Sequence, residues 1–238
     1  EAGLCEIYTD VEGVFTADPR IEPRARLLEK ISYDEMMEMA SLGSKVLQSR
    51  SVDLAAKYKL QLVVRSAFGE GEGTLITPEE PGIEAPAVNN VSCDKKQSKL
   101  TAQGVADRPG IAASLFGNLA EKSIAVDMIV QNVSEEGLTD ISITVNSDAA
   151  AEAERIMIET HASFGARRIM RDDNVAKVSV VGIGMKSQAG VAARAFAALA
   201  RDRINIQMIS TSEISISVIV VEGQADEAIR SLHREFIA

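Results

Sequence analysis

Lys99-Leu-Thr-Ala-Gln-Gly-Val-Ala-Asp-Arg-Pro-Gly-Ile-Ala returns later in the chain as Lys177-Val-Ser-Val-Val-Gly-Ile-Gly-Met-Lys-Ser-Gln-Ala-Gly-Val-Ala. Val126-Asp-Met-Ile likewise returns as Ile206-Gln-Met-Ile, at nearly the same spacing. A repeat of this length is a duplicated small domain rather than a solenoid unit.

Each copy alternates between a strand period and a helix period. In the first, Lys99–Val105 reads as a strand and Asp107-Arg-Pro-Gly as a turn, with Pro109 suited to the start of a helix from Gly110 to about Lys122. Strands over Val126–Val133 and Thr139–Val145, a helix over Ala149–Thr160 and a strand from Gly165 to Arg171 complete a βαββαβ, ferredoxin-like unit. The second copy gives Lys177–Gly182, a helix over Ala189–Arg201, strands Ile206–Thr211 and Ser215–Val221, and a helix over Ala225–Phe236. It lacks a fourth strand of its own. The unassigned strand-like segment Asn89-Asn-Val-Ser-Cys-Asp-Lys can supply it, since an unfilled edge invites aggregation. The expectation is that the first unit (96–173) is inserted into the second (88–95 with 174–238).

The chain has 238 residues, a formal net charge of −10, 46% hydrophobic residues, 4% aromatics and no Trp. That balance suits an aliphatic α/β or α+β core. It argues against a nucleic-acid surface, which needs a basic stripe. No apolar run reaches membrane-spanning length and no signal peptide is visible, so a cytoplasmic protein is expected. In that compartment Cys5 and Cys93 are expected as thiols. His161 and His233 have no neighbour at ligand spacing, which disfavours zinc. Arg167, Arg168 and Arg171 read as a solvated strand face near Asp172 and Asp173. A chain opening on Glu1-Ala-Gly-Leu-Cys, with no start Met, is expected to be a fragment or a processed chain.

Residues 1–77 alternate strands and helices, as an α/β layer does. Cys5–Tyr8 is a strand ending at Thr9-Asp10, and Asp18-Pro-Arg is an extended loop. Ser32 and Glu35 form a capping box for a helix whose Met cluster reads as core filling and which stops near Gly43. Ser51 opens a second helix, and Gln61–Ala67 is a strand. Gly69-Glu-Gly-Glu-Gly-Thr is a turn rather than a phosphate loop: a strand-like run follows it where a helix is needed, and its glutamates repel phosphate. Three prolines and several acids mark a linker over 78–87. Thr9, Asp10, Asp18, Arg20 and Lys45 could bind a nucleotide, with Arg and Lys on phosphate oxygens; equally, Arg20 could pair with Asp18 or Asp10 and Lys45 could be a solvated helix flank.

Glu6-Ile-Tyr-Thr-Asp-Val-Glu-Gly-Val-Phe-Thr-Ala-Asp-Pro-Arg, Ile31-Ser-Tyr-Asp-Glu-Met and Ala40-Ser-Leu-Gly-Ser-Lys-Val-Leu resemble the C-terminal part of an aspartate kinase catalytic domain. The resemblance implies that Thr9, Asp10, Phe15, Arg20, Lys45 and Val46 contact ATP, with Mg²⁺ as the accompanying ion, in transfer of a phosphoryl group to the β-carboxylate of aspartate. Phe15 stands where Tyr is usual, and Gln48-Ser49 replaces a common His-Pro. The family's Lys-Phe/Tyr-Gly-Gly phosphate motif and its aspartate-binding residues are not in the sequence, so no catalytic residue is assigned and the chain is expected to be inactive alone.

The turn, the helix opening on glycine and the polar residue on the next strand resemble an ACT domain in both copies. Such modules bind amino acids at paired interfaces, and free helix amides suit a carboxylate. The resemblance implies lysine or threonine as effectors. They would meet Asp107, Gly110, Ala112, Ala125, Asp127 and Gln131 in the first unit, with Asp127 or Gln131 receiving the ammonium group. In the second they would meet Ala189, Gly190, Val191, Asn205, Ile206, Thr211, Ser212 and Glu213. Ala125 replaces a frequent Asn, and Gln207 stands where the first copy has Asp127, so two sites of different preference are expected. A homodimer or higher oligomer through the ACT units, with or without a catalytic chain, follows from the same resemblance. A free-standing amino-acid sensor and a structural dimerisation subunit remain as alternatives.

Overall fold

The computed structural model of the protein describes residues 3–79, 86–132 and 137–237. Most of the expected linker, and residues 133–136 of the hairpin in the first copy, lie outside the described residues.

The N-terminal layer holds β1 (Leu4–Thr9), β2 (Lys30–Ser32), α1 (Tyr33–Ser41), α2 (Ser49–Tyr58), β3 (Gln61–Ser66) and β4 (Thr74–Thr77). Its sheet runs β1-β3-β4-β2, parallel at both outer pairs and antiparallel between β3 and β4. The capping box is formed: the Ser32 hydroxyl accepts from the Glu35 amide and the Glu35 side chain returns to the Ser32 amide. Met36 and Met39 are buried with Val14, Val52, Val64 and Ile76, as core filling. The second helix starts at Ser49, two residues before the expected Ser51, with no side-chain cap to fix its start. Residues 69–73 lead directly into β4, so the glycine-rich stretch opens no helix.

The C-terminal body contains β5 (Asn90–Ala106), α3 (Ile111–Glu121), β6 (Val126–Gln131), β7 (Leu138–Asn146), α4 (Ser147–Phe164), β8 (Arg168–Val181), α5 (Val191–Arg201), β9 (Met208–Thr211), β10 (Ser215–Val221) and α6 (Ala225–Phe236). They make one sheet in the order β6-β7-β5-β8-β10-β9. Sequence reading divides β5 and β8 into two strands each, but both run through. Neither Lys95–Lys99 nor Asp172–Val175 contains a Gly or Pro to turn the chain, and the change of register near Gln97 is absorbed as bulges. Gln97–Gln103 of β5 face Val175–Arg168 of β8 inside the first unit. Asn90–Asp94 face Val181–Lys177 and give the second unit its fourth strand. The first ferredoxin-like unit is therefore inserted into the second.

Each unit has its own core. Leu100, Ile141, Ile143 and Val145 pack under α3 and α4 in the first; Val178, Val180, Val218 and Val220 pack under α5 and α6 in the second. The sheet curls so far that its two end strands, β6 and β9, touch. Met128 and Met208 meet there over Val175 and Ile219. The N-terminal layer docks on the second unit: Ala17 joins its core, and fully buried His233 on α6 is 2.9 Å from the Thr16 hydroxyl through Nε2. Arg171 pairs with Asp173 at 2.7 Å and also with Glu154 on α4 at 3.3 Å, a pair that strand reading alone does not supply. Cys5 and Cys93 are both free thiols.

Candidate functional site

The residues expected at the nucleotide fall into two groups. Thr9 and Asp10 close β1, with the Thr9 hydroxyl on Asp10 at 3.1 Å, and Phe15 is bridged through its backbone to Leu27. Arg20 lies on Asp18, Nε to Oδ1 at 2.9 Å and Nη2 to Oδ2 at 2.7 Å. That hydrogen-bonded guanidinium is the main reason the Asp18 carboxyl titrates below its usual range. Of the two readings open from sequence, the structure holds the Arg20–Asp18 pair. Lys45 and Val46 instead line an open cavity of about 780 Å³ with Arg50 on one side and Asp94, Lys96 and Asn146 of the C-terminal body on the other. Thr9, Asp10, Phe15 and Arg20 do not line it.

Lys45 is placed by Gly43. Its φ of +107° is glycine territory, and a Cβ there would stand 2.5 Å from the carbonyl oxygen of Cys93 on β5. The α1 terminus can therefore lie flat against the C-terminal body only because residue 43 has no side chain.

The candidate effector residues also divide. Both α3 and α5 open on a left-handed glycine, Gly110 at φ +93° and Gly190 at φ +89°, with open space beside each. Asp107, Gly110, Ala112, Ala189 and Gly190 are exposed, while Val191 is buried. Asp107 is held by its backbone, N–H to the Gly137 carbonyl at 2.9 Å. Strand register puts Gln131, opposite Ile141, toward the sheet end from which α3 departs, and Ala125 and Asp127 toward the other end. In the second unit Thr211, Ser212 and Glu213 lie at the end from which α5 departs, where Glu213 is 3.7 Å from Lys186; Asn205 and Ile206 lie at the far end.

Of Asp127 and Gln131, either of which was expected to receive an effector's ammonium group, Asp127 has its carboxylate on the Lys177 ammonium. Lys99 correspondingly donates to Gln207. The meeting of β6 with β9 brings each unit's first-strand lysine to the second strand of the other unit. The exchange of Asp127 for Gln207 thus sets the partner of a lysine of this chain.

The N-terminal layer reaches this seam through α1. Buried Glu35 serves two structures: Oε2 accepts from the Ser32 hydroxyl at 2.8 Å, and Oε1 accepts from the Asn89 side chain at 2.7 Å and the Ile183 amide at 2.9 Å. One turn on, Glu38 Oε1 accepts from the hydroxyls of Ser215 at 2.5 Å and Ser212 at 3.1 Å. Glu38, Asp127, Lys177, Thr211 and Ser212 line one cavity of about 190 Å³. Sequence reading brings Asp127, Thr211 and Ser212 forward separately and misses Glu38, Ser215 and Lys177. The available signal was the spacing of Glu35 and Glu38, which puts two acids on one helix face.

Comparison with known proteins agrees with this division. Residues 100–160 and 178–236 match the ACT domain family, and residues 1–66 match the amino acid kinase family. The aspartokinase of Pseudomonas aeruginosa is 50% identical over 238 residues, which is 99% of this chain and 58% of that protein. This chain thus spans little more than half of that relative's length. The regulatory subunit of aspartate kinase from Thermus thermophilus, in a ligand-free form, superposes with a TM-score of 0.60 at 40% identity, covering 62% of this chain and 99% of that one. Escherichia coli aspartokinase III in complex with lysine and aspartate gives a TM-score of 0.80 at 25% identity, over 100% of this chain and 52% of that one. A mixed layer docked on two intertwined ACT units, with these relatives, places the chain in the aspartokinase family.

Proposed function

We propose that this chain is the regulatory part, with a share of the nucleotide-binding lobe, of an enzyme that transfers the γ-phosphoryl group of ATP to the β-carboxylate of aspartate, and that lysine, threonine or both inhibit it by binding the ACT units. The observation that carries the reading is Glu35. It ties α1, which runs into Lys45 and Val46, to both Asn89 and Ile183 of the second ACT unit. A shift of that unit is therefore felt at the nucleotide-facing segment.

Lys45 would meet phosphate oxygens as a point charge, and Thr9, Asp10, Phe15 and Val46 would form the base and ribose side. Arg20 would have to leave Asp18 to take part. Mg²⁺ would screen the phosphates as the ion of the substrate complex; among the described residues no three His, Cys, Asp or Glu side chains gather as its ligands. Exposed amides at Gly110 and Gly190 suit an effector carboxylate. Gln131 in the first unit and Thr211, Ser212 and Glu213 in the second lie toward the same sheet ends, and hydrogen-bond its other groups. Asp107, Ala112, Ala189 and Val191 would shape the helix side of each site; Ala125, Asn205 and Ile206 would contribute from a neighbouring copy across an ACT–ACT contact.

Calorimetric titration of the chain with lysine and with threonine tests the sensor reading, which expects heat from at least one; a structural subunit binds neither. An assay with ATP, Mg²⁺ and aspartate is expected to show no turnover by the chain alone, and turnover would overturn the view that the phosphate cradle is incomplete. A second reading, a separate regulatory subunit that joins a catalytic chain, is supported by the Thermus thermophilus regulatory subunit matching over nearly its whole length.

A further inference from the structure

We infer that Glu38 is the residue through which the ACT body holds the nucleotide-facing segment in place, and that an effector acts by competing with Glu38 for the Ser212 hydroxyl. The inference rests on the feedback reading given above and names its mechanical contact.

Glu38 is only half-buried, on the outer turn of α1, yet its carboxylate is used in an ordered way. One oxygen accepts from two hydroxyls, that of Ser215, which opens β10, and that of Ser212 in the turn before it. The two hydroxyls are within 2.9 Å of each other, and Ser212 Oγ also accepts the Ile214 amide at 3.3 Å. The turn and the helix are thus closed by one small hydrogen-bond cluster, with no Lys or Arg in an ion pair with Glu38 among the described residues. A hydrogen bond to a charged group contributes more than a neutral one.

What lies beyond Glu38 gives the cluster its consequence. The Leu42 amide closes α1 on the Glu38 carbonyl at 3.0 Å. Gly43 then rests on the Cys93 carbonyl, and Lys45 and Val46 enter the large cavity. Glu38 sits at the near end of that rigid run and Ser212 at the near end of the second unit's sheet. Glu35, in contrast, is buried and holds the start of α1 against the Asn89 side chain and the Ile183 amide. Glu35 is a hinge and Glu38 a latch. An effector whose polar groups take the Ser212 hydroxyl removes one of the latch's two donors, and α1 is freed to pivot on Glu35.

The test uses the intact chain, with lysine and threonine as probes in separate arms. Calorimetry measures binding, and amide hydrogen exchange is read over residues 33–47. In the unmodified chain the bound effector is expected to speed exchange in that segment by about fivefold or more, the lower range of allosteric coupling. Glu38→Ala is expected to bind the same effector at least as tightly, to exchange rapidly in that segment without effector, and to show no further change on binding. Glu38→Gln keeps an acceptor oxygen and is expected to restore part of the response, which a general loss of packing would not do. If Glu38→Ala retains the effector response, or if the unmodified chain binds effector with no change over 33–47, the latch is wrong while the sensor reading stands. If the unmodified chain binds neither amino acid, the sensor reading falls and the latch falls with it. Should Glu38→Ala not fold, Glu38→Gln decides: with effector binding retained, a weaker exchange response over residues 33–47 supports the latch, and a response equal to that of the unmodified chain overturns it.

Discussion

Lys177, on a strand of the second ACT unit, is buried to 2% of its side-chain surface and has its ammonium group on the carboxylate of Asp127 in the first unit. Lys99 stands at the repeat-related position and reaches Gln207 in the second unit, with Asp172 3.8 Å away as its anion. The two contacts cross the seam in opposite directions, one charged and one neutral. A buried cation that loses its anion is costly, whereas replacing it with an apolar side chain of similar volume is often tolerated.

Asp127→Ala is therefore expected to cost about 2–3 kcal/mol, below the full cost of breaking a buried pair because the carboxylate is partly open to solvent. Lys177→Met should cost less, and adding Asp127→Ala to it should cost almost nothing more. Urea midpoints of the four proteins give the coupling directly. Equal and additive losses would mean that the pair contributes nothing as a pair.

Gly43→Ala should destabilise the chain by about 2 kcal/mol or more, since strain at φ +107° adds to a backbone clash with Cys93 that no rotamer relieves. Gly117→Ala, on α3 with open space beside it, serves as the control and should be neutral or slightly stabilising. The thermal midpoint of Gly43→Ala is expected to fall, and that of Gly117→Ala to hold or rise slightly.

His233 supplies a pH dependence. Burial lowers its affinity for a proton below the ordinary value of 6.5, and its Nδ1 has no partner among the described residues. Above that value it is neutral in both folded and unfolded chains and contributes no slope. As pH falls below 6.5 the unfolded chain takes up a proton that the folded one refuses, so stability falls until the folded pKa is passed. Thermal midpoints should drop between pH 6.5 and 5, and His233→Gln should flatten that part of the curve. Glu22, held down to about 2 chiefly by the Arg24 side chain, adds a separate loss only below pH 4.5.

Ile129 and Ile209 occupy matching places on the end strands β6 and β9, about half exposed. Exposed apolar groups on sheet edges favour pairing with another chain. Ile129→Lys and Ile209→Lys are each expected to weaken self-association in sedimentation velocity while shifting stability by no more than about 0.5 kcal/mol. Unchanged sedimentation in both variants would place the contact between copies elsewhere.

The local rules of the chain were readable in advance because they depend on neighbours in sequence. Ser32 and Glu35 announced their helix, Met36 and Met39 their burial, and the repeat its two βαββαβ units. Strand continuity was not readable: Lys95-Lys96 and Asp172-Asp173 look like a polar break, and only pairing of the two segments with each other makes them strand. The same limit applies to the site. Asp127 reads from sequence as a polar residue on the strand after the helix, but its partner lies fifty positions away and is delivered by the curl of the sheet. Glu38 signals only that it shares a helix face with Glu35, because its partners, Ser212 in a turn and Ser215 opening β10, are ordinary residues until α1 is laid across them.

The sharing of β5 and β8 between units also fixes an order of assembly. A chain made from its N-terminus presents Asn90–Asp94 early, but their partner Lys177–Val181 is synthesised only after the whole first unit. The first unit can complete its core while that short strand still waits. When β8 arrives, Val181 joins the core of the N-terminal layer and Ile183 meets Glu35. That late pairing thus starts the second unit's sheet and seats the N-terminal layer on it in the same step, before α5, β9, β10 and α6 complete the unit.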